Sequence, residues 1–144
     1  MPLHVLPSEW PELLADPRTI RAIFGEAPSL DQVELHSITL RRDGPTVALN
    51  VVLAESEFPP FPSRKWREAG FNRVALEILC IGVRALEIRG LETTPIFDLK
   101  IAAEGRLRRV RGATDEMMIN ITADFLDVTN RGVSAYLHGN GCGR

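Results

Sequence analysis

The residues able to do chemistry are few and scattered. His4, His36 and His138 stand far apart, and none sits in a His-x-x-x-His or Cys-x-x-Cys frame, the spacings that gather ligands around zinc. The pattern predicts no metal and no cofactor. Cys80 lies in the apolar run Leu76-Glu77-Ile78-Leu79-Cys80-Ile81 and reads as a buried thiol acting as a small hydrophobe. Cys142 falls in the glycine-rich stretch Gly139-Asn140-Gly141-Cys142-Gly143, which reads as a flexible tail. Two thiols so placed form no disulfide framework and point to a reducing compartment. Carboxylates pair at Asp115-Glu116 and at Asp124 with Asp127. Such pairs act as acid and base only where their surroundings drive the two pKa values apart; both sit beside expected turns, where water keeps them ordinary. There is no Gly-x-Ser-x-Gly elbow, no Walker loop and no Gly-x-Gly-x-x-Gly after a strand. The sequence therefore predicts no catalytic residue and no enzyme.

Two segments carry side chains suited to binding. The run Arg106-Leu107-Arg108-Arg109-Val110-Arg111 is basic, but on a strand Arg106, Arg108 and Val110 face one way while Leu107, Arg109 and Arg111 face the other. No aromatic platform lies among them for bases to stack on, and arginines that keep an edge strand soluble account for the run as well. Nucleic acid is not the expected partner. The stretch Glu55-Ser56-Glu57-Phe58-Pro59-Pro60-Phe61-Pro62-Ser63-Arg64-Lys65-Trp66 is more unusual. Its prolines at 59, 60 and 62 exclude helix and central strand there, leaving turn or polyproline-like backbone. Two readings stand side by side. Phe58, Phe61 and Trp66 fold back to cover one end of a sheet, or Glu55, Glu57, Phe58, Phe61, Arg64 and Trp66 form a binding loop for a partner.

These segments need a scaffold, and the composition supplies one. The chain has 144 residues, 44% of them apolar and 25% charged, with a formal net charge of −2. That length suits one domain able to bury a core without disulfides. Seventeen bases and nineteen acids nearly cancel, so no global field marks nucleic acid or a membrane as partner. The balance is uneven: positions 1–62 carry nine acids against four arginines, a net of −5, and the remainder carries thirteen bases against ten acids, a net of +3. No apolar stretch approaches the ~18 residues of a membrane span. The first residues, Met1-Pro2-Leu3-His4-Val5-Leu6-Pro7, lack the basic and apolar regions of a signal peptide. The expectation is a cytoplasmic protein.

Along the chain, positions 1–30 read as short helices. Ser8 caps one through Leu14, and Asp16-Pro17 opens a second in which Ile20, Ile23 and Phe24 share a face and Gly25 ends it. From Asp31 the apolar period becomes two. Strands are expected over Val33–Leu40 with a bulge near Ser37, over Val47–Leu53, Val74–Cys80, Leu86–Ile88, Phe97–Ala103, Leu107–Arg111 and Met117–Ala123, and over Phe125–Leu137, broken around Asn130-Arg131-Gly132. Glu55 to about Asn72 is expected to be irregular. The connections are too short for parallel crossovers. The fold class is thus α+β, mainly β: one domain with a single antiparallel sheet of about eight short strands at 31–138, N-terminal helices at 1–30 and a tail at 139–144. Val47, Leu49, Val51, Val74, Leu76, Ile78, Leu86, Ile88, Leu99, Ile101, Ile119 and Ile121 form its expected core.

The order of these signals resembles a known family. Trp10, Phe24-Gly25, Pro28-Ser29-Leu30, Asp43-Gly44-Pro45, the proline-rich run into Trp66, Gly70-Phe71-Asn72-Arg73-Val74, Gly90 and Val133-Ser134-Ala135-Tyr136 are together similar to the immunity protein 50 family. The resemblance spans about Trp10 to Tyr136. It implies a small bacterial protein, encoded beside a polymorphic toxin, that protects its producer by binding that toxin. It supplies no catalytic residue. A small enzyme or ligand-binding domain with dispersed polar groups, or a homodimeric module paired through an edge strand, are the other readings; the chain is expected to be a monomer or homodimer.

Overall fold

The computed structural model describes residues 7–138; His4, Cys142 and the tail expected at 139–144 lie outside them. The chain enters through a 3-10 helix, Pro7–Leu13. The short helix expected from Ser8 to Leu14 is present as this 3-10 helix, in which Pro11 has no backbone N–H to donate. Helix α1 (Arg18–Phe24) follows, with Ile20 and Phe24 buried and Ile23 packed at the margin. At its start Asp16 Oδ1 accepts the Arg18 backbone N–H at 3.0 Å, satisfying one orphan donor of the first turn. The Arg18 guanidinium on the same carboxylate holds the Asp16 pKa down at about 2.

Among the described residues eight strands form one antiparallel sheet: β1 (Val33–Arg41), β2 (Thr46–Val52), β3 (Arg73–Arg89), β4 (Ile96–Phe97), β5 (Lys100–Glu104), β6 (Leu107–Ala113), β7 (Met118–Asp127) and β8 (Val133–Tyr136). Their spatial order is β4-β1-β2-β3-β7-β6-β5, with β8 beside the first residues of β3. This confirms the α+β, mainly β class. The bulge expected near Ser37 falls between Leu35 and Ser37. The expected break before β8 is a 3-10 turn at Asn130–Gly132.

Three strand expectations are corrected. Met117–Ala123 and the first residues of Phe125–Leu137 are one strand, β7, which passes through Asp124 to Asp127 without the expected turn. Val74–Cys80 and Leu86–Ile88 are not separate strands but parts of β3, which runs 17 residues. Gly82 takes φ 69° and the register with β7 slips between Val83 and Ala85, so the chain bulges instead of reversing. A Cβ at Gly82 would lie 2.5 Å from an Asp124 carboxylate oxygen, so space and conformation both require glycine there. Conversely, Phe97–Ala103 is not one strand. Ile96 and Phe97 pair with β1, whereas Lys100 to Glu104 pair with β6. β4 and β5 are the opposite ends of the strand order, yet only Asp98 and Leu99 separate them in sequence. The sheet therefore curls until one extended segment serves both edges, although no pairing among the described residues closes it into a barrel.

The concave face of this curl is apolar and the N-terminal helices plug it. Trp10, Leu14, Ile20, Phe24 and Leu30 share one cluster with the sheet residues Leu49, Leu76, Ile78, Val110, Ile119 and Ile121. The Trp10 indole donates to the Pro28 carbonyl at 2.8 Å, so its polar atom is satisfied inside. Most of the expected core is buried; Leu86 and Ile101 are half-buried. Ile88 is the exception at 36% exposure. Pairing with β2 ends at Ile81, so beyond it β3 has a strand neighbour on one side only. Cys80 is buried as expected, and burial pushes its thiol up to about 12.

Helices are not confined to the start of the chain. Within the stretch expected to be irregular, residues Arg64–Ala69 form α2, with Ser63 Oγ accepting the Trp66 backbone N–H at 3.3 Å and Gly70 in the left-handed conformation at its end. A serine before and a glycine after are helix boundary signals. They are overshadowed in sequence by the prolines immediately upstream.

Candidate partner-binding surface

The loop from Glu55 to Trp66 is built around a divided set of aromatics. Phe58 and Trp66 fold back onto the margin of the core, their ring centroids 6.0 Å apart and tilted by 39°. Pro59 is buried between them in sequence, and it fixes the backbone as the chain turns outward. Phe61 does the opposite: it is 90% exposed. The fold-back reading holds for Phe58 and Trp66 and fails for Phe61. Two aromatics cover one end of the core, and one points into solvent.

Phe61 stands between two clefts. One, of about 420 Å³, is lined by Phe24, Pro28, Glu57, Phe58 and Pro60; the other, of about 230 Å³, by Ala22, Ile23, Pro62, Ser63 and Trp66. Helix α1 supplies a wall to each. Nothing in the sequence marks Ala22 or Ile23 as a binding residue; Ile23 reads only as part of the apolar face of α1. Their only signal is position: Ile23 sits at the edge of the apolar stripe begun by Ile20, where a side chain is shared between core and surface.

The charged candidates divide as well. Glu57 Oε1 accepts the Ser29 backbone N–H at 2.6 Å, tying the loop to the stretch that also receives the Trp10 indole. Glu57 therefore has a structural task. Glu55 is 68% exposed at its side chain, with its carboxylate 3.9 Å from Arg73. Arg73 in turn donates to the Leu53 carbonyl. Arg64 pairs with Glu68 one helical turn on, at 3.0 Å, both side chains largely exposed, an arrangement that contributes little to stability. The loop surface thus offers an acid, an arginine and one bare phenyl ring.

The carboxylates and histidines do not converge on a site. Asp124 pairs with Arg84 at 3.0 Å, and Asp127 accepts the Val128 backbone N–H. Asp115 and Glu116 are exposed. His36 lies 3.1 Å from Glu34, while His138 is held through its backbone by Asn72. Among the described residues no three His, Cys, Asp or Glu side chains gather as a metal site would need. The basic run alternates as expected. Arg108 turns to the covered face and donates to the Leu13 carbonyl at 3.1 Å, beside buried Val110; Arg109 is on the other face and pairs with Glu104 at 3.1 Å.

The chain belongs to the family described as Immunity protein 50, whose model matches residues 16–134. The match takes in α1, the loop and β1 to β7, and leaves Trp10, Ala135 and Tyr136 outside its limits. No curated protein and no solved structure matches the chain. No helix of the described residues is long and apolar enough to cross a membrane.

Proposed function

We propose that this chain is an immunity protein that binds a cognate bacterial toxin domain in the producer's cytoplasm and neutralises it by occlusion, with no chemistry of its own. Family membership supports the general role. The observation that carries the site is the 90% exposure of Phe61 between two apolar-walled clefts. A stable inhibitor complex buries about 800 Å² on each partner, and a few aromatic or arginine anchors carry most of its energy. Phe61 is such an anchor: a large ring already held out by prolines, so little backbone entropy is lost on docking. Phe58, Glu57 and Trp66 shape its seat, while Glu55 and Arg64 flank it as rim charges that guide approach.

The test is co-expression in bacteria with the toxin domain encoded beside this gene. Wild type is expected to restore growth, and Phe61→Ala to restore it poorly while folding normally. Glu55→Lys is the cleaner charge variant, because Glu57→Lys would also break the contact to Ser29. Full protection by Phe61→Ala would remove the loop from the interface. Failure of wild type to bind or protect would overturn the immunity reading.

A further inference from the structure

On the convex face of the sheet, Lys100 of β5 lies directly opposite Arg111 of β6. Opposed residues on neighbouring antiparallel strands have Cβ atoms about 4.5–5.5 Å apart, and like charges so placed repel. The local acids do not relieve this. Continuing across the sheet, Arg111 pairs in register with Asn120 and Asn120 with Glu87, but Glu87 is held by Arg89 at 2.6 Å. Asp98 borders the same cleft, where its Oδ1 accepts the Gln32 backbone N–H at 3.0 Å; its carboxylate keeps its charge but forms no ion pair with either cation. Among the described residues neither Lys100 nor Arg111 forms an ion pair. By contrast, the neighbouring Arg109 is neutralised by Glu104.

Both cations are exposed and line a cleft of about 380 Å³, in which Gly112 and Ala113 supply no bulk beside them. We propose that the Lys100–Arg111 pair is a second contact point for the toxin partner, receiving a carboxylate side chain of that protein. This rests on the immunity reading. A guanidinium presents a planar fork of donors that matches a carboxylate, and the ammonium opposite adds a point charge. One bound carboxylate replaces the repulsion between the two cations with two attractions. The surface is distinct from the loop, since no residue of 55–66 lines the cleft.

Calorimetric titration of the full chain with the toxin domain encoded beside its gene tests this, comparing wild type with Lys100→Glu, Arg111→Glu and Phe61→Ala. Each charge reversal is expected to weaken binding by about tenfold or more, the size of one lost charge-assisted contact. Wild-type affinity should fall with added salt more steeply than that of Arg111→Glu. Lys100→Glu places an acid opposite Arg111, so its thermal midpoint should not drop, which separates lost binding from lost folding. Wild-type affinity in both charge variants, with Phe61→Ala impaired, overturns the carboxylate site and leaves the immunity reading intact. No binding by wild type overturns both. Unchanged toxin affinity together with single-stranded oligonucleotide binding that the two reversals abolish would assign the pair to nucleic acid and overturn the proposal.

Discussion

The Glu55–Trp66 loop and the β5–β6 ribbon both present groups to solvent, but different forces hold them in place. The loop has no strand ladder; it keeps its shape because Phe58 and Trp66 pack on the core, Pro59 is buried and Glu57 accepts the Ser29 N–H. The ribbon is fixed by continuous pairing from Lys100↔Arg111 to Glu104↔Leu107, with Val110 inside and Arg108 reaching the Leu13 carbonyl. In the loop, then, side chains of one chemical type divide between structure and surface. In the ribbon, the strand period alone decides which residues face out. An exposed aromatic in a loop is informative because packing had the chance to take it and did not. An exposed cation on a strand is informative only when its neighbours fail to neutralise it.

The largest expected effect removes what both regions share. Ile121 is fully buried in the concave face, so Ile121→Ala should lose about 2–5 kcal/mol of stability in denaturant melts. It should also abolish the proposed protection in cells, since loop and ribbon both hang on that core. A loss under about 1 kcal/mol would show that the concave face is not the common support.

The next effect separates aromatics within the loop. Trp66→Ala should destabilise by about 2 kcal/mol, the loss of a partly buried large side chain. Phe61→Ala should stay within about 0.5 kcal/mol of wild type, as for surface changes generally. Equal destabilisation by both would mean that Phe61 is packed, and the loop's division into seat and anchor would disappear.

The smallest effect separates its acids. Glu57→Ala leaves the Ser29 N–H without its acceptor and should cost about 1–2 kcal/mol. Glu55→Ala, at the end of a long and exposed ion pair, should be close to neutral. Urea midpoints of the two single variants suffice as the measurement. A reversal of that order would make Glu55, through Arg73, the tether of the loop.

Much of this was readable from one-dimensional pattern. Alternation at Val47-Leu49-Val51 and Val74-Leu76-Ile78 identifies the buried face, because a pleated strand can bury only every second residue. The spacing of Ile20, Ile23 and Phe24 gives α1, and the phase change near Ser37 gives the bulge in β1. Burial of Cys80 and the opposed faces of Arg108 and Arg109 follow from the same rule.

What the sequence by itself determined is therefore the local period, and with it the fold class and the buried face of each strand. The tertiary structure decided everything that depends on a neighbour distant in sequence. Gly82 permits a turn or a bulge; it is a bulge because β7 continues alongside β3. Residues 96–104 alternate like one strand but serve two edges, because the sheet curls to bring β1 and β6 to either end of them. Phe58, Phe61 and Trp66 have equal claim to burial by composition; the helices and core offer room to two of them. Lys100 and Arg111 are eleven positions apart by number, and only strand pairing sets the two charges face to face. Periodicity is a property of the backbone and is written locally, whereas packing room and charge compensation are set by the partners that folding brings near.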